Sequence, residues 1–121
     1  MSNEKMAKEQ RIDKELRRLK KIYKDISKDK MDLIDGIIQR AAYMRITLED
    51  YEADLDENGY VELFSQSDKT EPYERERPVA RLYNTMNNNY QKIMKQLSDL
   101  LPKDGAGKEK ANDPLMGFIK S

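Results

Sequence analysis

The sequence predicts a mainly α, oligomer-forming chain in which long antiparallel helices flank a short β-hairpin insertion. Three observations lead there. Ile34, Ala41, Leu48 and Leu55 recur every seven residues, with Ile37, Met44 and Tyr51 three positions after the first three. Val79, Met86, Ile93 and Leu100 repeat that spacing, supported by Tyr83, Tyr90 and Leu97. Such 3–4 periodicity belongs to helices that bury one narrow stripe. Between the two stripes, Gly59-Tyr60-Val61-Glu62-Leu63-Phe64 alternates and is rich in β formers.

Taken in order, residues 4–27 read as a first helix, with Ile12, Leu16, Leu19, Tyr23 and Ile26 three and four apart. Ser27 suits the N-cap of the next helix, with Asp29 and Asp32 near its positive end. That helix runs from about residue 29 to 55 and is stopped by Asn58-Gly59. At ~1.5 Å per residue it is on the order of 40 Å long, so neighbouring copies are expected to cover its seam. Ile34, Ile37, Ala41, Met44, Leu48 and Tyr51 are therefore the candidate oligomerisation residues. Gly36 costs a helix roughly 1 kcal/mol against alanine, which suggests close packing there. The hairpin is expected over about 59–70. Pro78 then fits the first turn of a third helix, a kinked helix from Pro72 being the alternative, and Pro102 ends it. Residues 103–114 read as a flexible linker, and Leu115, Met116, Phe118 and Ile119 form an apolar tip that reads as a partner-binding anchor. The domain division is thus a basic helix over 1–28, a helix–hairpin–helix core over 29–102 and a tail over 103–121.

Charge is balanced overall but segregated along the chain. Residues 1–30 carry 11 lysines and arginines against 6 acids, whereas residues 31–80 carry 5 against 13. The basic stripe of Arg17, Arg18, Lys20, Lys21 and Lys24 is the candidate DNA-binding face, since such side chains pair with phosphates whatever the bases. A solvated helix laced with glutamate–lysine pairs is about as frequent an outcome for such a stripe. A basic arm can also meet an acidic middle head to tail between copies.

The chain has no cysteine and no histidine, which excludes disulfides, thiolate chemistry, the usual zinc clusters and histidine bases. No cofactor is implied, and nothing points to an enzyme. No apolar run approaches the roughly 20 residues needed to cross a bilayer, so a soluble cytoplasmic protein is expected. Asp54, Asp56, Asn58, Gly59 and Val61 match the first eight positions of an EF-hand calcium loop, but position twelve is Ser65 where a bidentate glutamate belongs. An acidic helix end turning through Asn-Gly is the better reading. Gly105-Ala-Gly107-Lys108 fails as a phosphate loop, because Glu109 stands where Ser or Thr is required.

The run from Lys30 through Ile38, the block Ala41 to Leu48, Asn58-Gly-Tyr-Val-Glu-Leu-Phe64 and the segment from Glu74 to Pro102 together resemble the small terminase subunit of tailed bacteriophages and prophages. The resemblance covers about residues 16–102. This chain has Arg77-Pro78 where members often have Asn-Pro, and Leu-Leu-Pro102 in place of a longer Leu-Gly-Leu ending. The resemblance implies a ring-forming, non-catalytic factor in the bacterial host cytoplasm that binds viral double-stranded DNA and presents it to the large terminase subunit. It implies no catalytic residue, and the basic face rests on this sequence alone. The alternatives are a helical DNA-binding regulator or protein adaptor without a packaging role, and a calcium-responsive module.

Overall fold

The computed structural model describes residues 2–101. Three helices and a two-stranded antiparallel sheet follow in the order α1 (Ser2–Ile22), α2 (Lys28–Asn58), β1 (Val61–Phe64), β2 (Tyr73–Glu76) and α3 (Pro78–Asp99). With 31 residues, α2 is the spine, roughly 46 Å long. The other two helices lie against it, both antiparallel to it. Arg11 pairs with Asp50 and Glu49, and Lys20 with Asp35, which sets the course of α1. Arg77 on Asp54 and the Tyr83 hydroxyl on Glu52 set the start of α3, and Leu97 reaches Tyr23 near its end.

The expected first helix over 4–27 stops earlier, at Ile22. Its end tightens into bonds of the i to i−3 type, from the Tyr23 N–H to the Lys20 carbonyl and from Ile26 to Tyr23. Ser27 then takes an extended conformation that a continuing helix forbids, and its hydroxyl accepts the Lys30 N–H at 3.2 Å. The cap read from the sequence is thus what separates α1 from α2. At the far end Gly59 donates its N–H to the Leu55 carbonyl and stops α2 with φ 84° and ψ 178°. That region of backbone space is essentially reserved for glycine.

The core is one cluster drawn from all three helices: Leu19, Tyr23, Ile34, Ile38, Ala41, Ala42 and Leu97. Ala41 and Ala42 are fully buried, and their small size lets the flanking helices approach α2 closely. Ile46, Thr47, Leu48, Leu55 and Ala80 extend the buried line toward the hairpin. Residues 1–28 and 29–102 therefore share one core over their described parts.

This packing corrects the physical premise for the candidate oligomerisation residues. Ile34, Ala41 and Leu48 are buried within the single chain, and Ile37, Met44 and Tyr51 are half-buried. Within the single chain α1 and α3 thus cover Ile34, Ala41 and Leu48, while Ile37, Met44 and Tyr51 keep part of their surface. The buried surface of α2 is consequently wider than a heptad stripe and takes in Ile38, Ala42, Ile46 and Thr47 as well. Gly36 corrects a second expectation. A methyl group there would meet nothing within 4 Å, so no close packing explains it.

The hairpin is wider than the expected 59–70. Its strands pair Val61 with Glu76 and Phe64 with Tyr73, leaving residues 65–72 as the connection. The second strand reads Tyr-Glu-Arg-Glu, whose charge hides its β character. It is held by cross-strand contacts on one face. Arg75 pairs with Glu62 at 2.8 Å and lies over the Phe64 ring, while Phe64 meets Tyr73 edge to face. As expected, Pro78 takes the first turn of α3, after Arg77 in extended conformation. The third helix ends at Asp99, three residues before Pro102.

Candidate nucleic-acid interface

The five basic residues expected to form a DNA face do not share one environment. Arg18 grips Glu15 with two bonds of 2.7 Å, and Glu15 is only 8% exposed. That hydrogen bond raises the Arg18 guanidinium above its ordinary value. Removing it would leave a desolvated carboxylate unpaired, so Arg18 supports the fold. Lys20 bridges the α1–α2 seam to Asp35 at 3.3 Å. Arg17 pairs with Asp13 one turn earlier, at 2.8 Å, but both side chains are mostly exposed. Such a surface pair is worth only about 0.3–0.5 kcal/mol, so Arg17 can turn to a phosphate at little cost. Lys21 and Lys24 are exposed and have no ion-pair partner among the described residues.

Helix geometry sorts these residues further. Lys14, Arg17 and Lys21 follow at spacings of three and four, on the side of α1 opposite Ile12, Leu16 and Leu19, which face the core. Lys24 continues the line past the helix end. The outward stripe is therefore Lys14, Arg17, Lys21 and Lys24, with Arg18 and Lys20 on its flanks. Lys14 has the same three- and four-residue spacing in the sequence but stands outside the densest basic run. Lys28 and Lys30, exposed beside the turn, add charge to the same end of the bundle.

The opposite end is acidic, yet most of its carboxylates already have work within the fold. Asp50 and Glu49 hold Arg11, Lys8 adds a contact to Asp50, and Glu52 accepts from the Tyr83 hydroxyl. Asp54 is held below the usual carboxylate range by the Asn58 amide and then by the Arg77 guanidinium. Arg77 also donates to the Gly59 carbonyl at 2.7 Å, so it fastens the end of α2 to the start of α3. Residues 54–58 are the last turn of α2. A calcium loop would need those positions to curl around an ion, and here Asp54 and Asn58 are bonded to each other along one helix face.

A groove of about 760 Å³ opens at the basic end between the α1–α2 turn, the first turns of α2 and the last residues of α3. The candidate partner-binding residues Leu115, Met116, Phe118 and Ile119 lie outside the described residues. Among the described residues no helix is long and apolar enough to cross a membrane.

Comparison with known proteins places the chain in no family. No family model matches it, and neither a curated protein nor a solved structure does.

Proposed function

We propose that this chain is a non-catalytic small terminase subunit, a homo-oligomeric packaging factor of the bacterial host cytoplasm. In this reading it binds viral double-stranded DNA and presents it to the large terminase subunit. The observation that supports the DNA part is the outward stripe of Lys14, Arg17, Lys21 and Lys24, directed away from the core and running from the middle of the bundle to the α1–α2 turn. Over its helical part the stripe is about 10 Å long, short enough for neighbouring phosphates of one duplex to meet several of its charges. Phosphate contacts position a duplex without reading its bases, so one copy binds weakly and an assembly of copies binds usefully. The helix–hairpin–helix order agrees with the resemblance drawn from the sequence.

Assembly in this reading uses exposed apolar side chains beside the half-buried Ile37, Met44 and Tyr51 of α2. Val61 and Leu63 on one face of the hairpin are 50% and 73% exposed, and Leu82 on α3 is 54% exposed. Native mass spectrometry of the wild type should show a closed oligomer, and co-precipitation should recover the large subunit. Salt-sensitive duplex binding without an oligomer or a large-subunit complex would move the assignment to a helical DNA-binding regulator. Absence of duplex binding at low salt would remove both readings.

A further inference from the structure

The groove at the basic end is lined by Ile26, Leu33, Ile37, Leu100 and Leu101, with Lys30 on one rim. Leu33 is 80% exposed although it sits in the first half of α2, and Leu100 and Leu101 are exposed beside it. Several large aliphatic side chains left in water around one concavity mark a place where something apolar binds.

We propose that residues 115–119 of the same chain occupy this groove. Three observations select that occupant. First, Leu101 is both a wall of the groove and the point from which the chain continues, so the continuation starts at the site. Thirteen residues, 102–114, separate the two, and they reach up to about 45 Å when extended, far more than a return to the groove requires. A tether of that length sets a local concentration in roughly the millimolar range, which a free partner seldom attains. Second, residues 115–119 bring Leu115, Met116, Phe118 and Ile119 around Gly117, an apolar group that matches an apolar groove. Third, the flanking charges are complementary. Asp113 precedes the apolar group and Lys120 follows it, while the groove carries Lys30 together with Asp25 and Asp99. The segment thus masks Leu33, Leu100 and Leu101, and it shares the basic end with the lysines of the α1–α2 turn. This inference goes beyond the packaging reading and does not rest on it.

The absence of cysteine makes the test clean, because any introduced pair reports only on itself. In the full chain, Leu33→Cys with Phe118→Cys should form an intrachain disulfide under mild oxidation. The control is Gln91→Cys with Phe118→Cys, since Gln91 is exposed on α3, lies nearer the tail than the assembly residues do and does not line the groove. Docking should make the groove pair close at least about tenfold faster than the control, because a seated segment concentrates Phe118 at one spot. Adding Leu115→Asp and Ile119→Asp should bring the groove pair down to the control rate. Equal rates for the two pairs, or no disulfide in either, would overturn the proposal. A disulfide found only between chains would also overturn it and assign the groove to a second copy.

Discussion

Replacing Lys14, Arg17 and Lys21 together by glutamine removes three of the four charges in the outward stripe while touching nothing in the core. The magnitude follows from counterion release. Each phosphate neutralised on a duplex contributes about −0.9 to the slope of log affinity against log salt. Four contacts, from Lys14, Arg17, Lys21 and Lys24, give a slope near −3.6 per copy, and the variant keeps about −0.9. Raising salt from about 50 to 200 mM should then weaken the wild type about 150-fold per copy and the variant only about 3–4-fold. Fluorescence anisotropy of a labelled duplex titrated over that range measures both slopes, and the thermal midpoint of each protein controls for folding. Surface changes of this kind move stability by less than about 0.5 kcal/mol each. If the variant folds normally and its salt slope equals that of the wild type, the stripe does not contact DNA and the reasoning is refuted.

Three further outcomes follow from contacts in the fold. Arg18→Gln leaves Glu15 desolvated without its partner and should cost about 1–2 kcal/mol in urea unfolding, a figure discounted because the Arg18 side chain is half exposed. An unchanged midpoint would show that Glu15 finds water. Gly36→Ala should stabilise by about 0.8–1 kcal/mol through helix propensity alone, whereas Gly59→Ala should destabilise by about 1–3 kcal/mol through its backbone angles. The two glycines thus predict opposite shifts in thermal midpoint, and shifts of the same sign would defeat the backbone argument. Asp54 is held below its ordinary value, so its contribution is present above about pH 4, the unfolded value, and is lost as pH falls through the lower folded value. The stability gap between the wild type and Asp54→Asn should therefore close on acidification below about pH 4. A gap that does not narrow at all below about pH 4 would mean the carboxylate charge is not what Arg77 holds.

The elements with local chemical punctuation were legible in the sequence. Ser27, Asn58-Gly59 and Pro78 each act within one helical turn, and each stands where the spacing argument put it. The strand Tyr73–Glu76 was not legible, because three of its four residues are charged and its support comes from Glu62 and Phe64 on the other strand. The breadth of the buried face of α2 was also hidden. A heptad reading registers Ile34, Ala41 and Leu48, but only two flanking helices bury Ile38 and Ala42 too, and nothing local encodes a second neighbour. For the same reason Leu48→Asp is expected to destabilise the single chain, because it buries an unpaired charge. Within the candidate interface, charge was visible and availability was not. Whether an arginine is free depends on its carboxylate, and Glu15 gains its hold on Arg18 only by facing the core.

The bond from the buried Tyr23 hydroxyl to the Leu97 carbonyl joins residues 74 positions apart. Closing so long a loop is entropically dearer than closing the α1–α2 turn, so this one contact is expected to form after the α1–α2 pair. Tyr23 sits beside Lys21 and Lys24, and Leu97 lies one turn before the wall of the groove. This contact at the basic end therefore waits until nearly all of the described chain has been synthesised. A chain truncated before α3 would keep the lysines on α1 but lose the Leu97 carbonyl that anchors Tyr23 beside them.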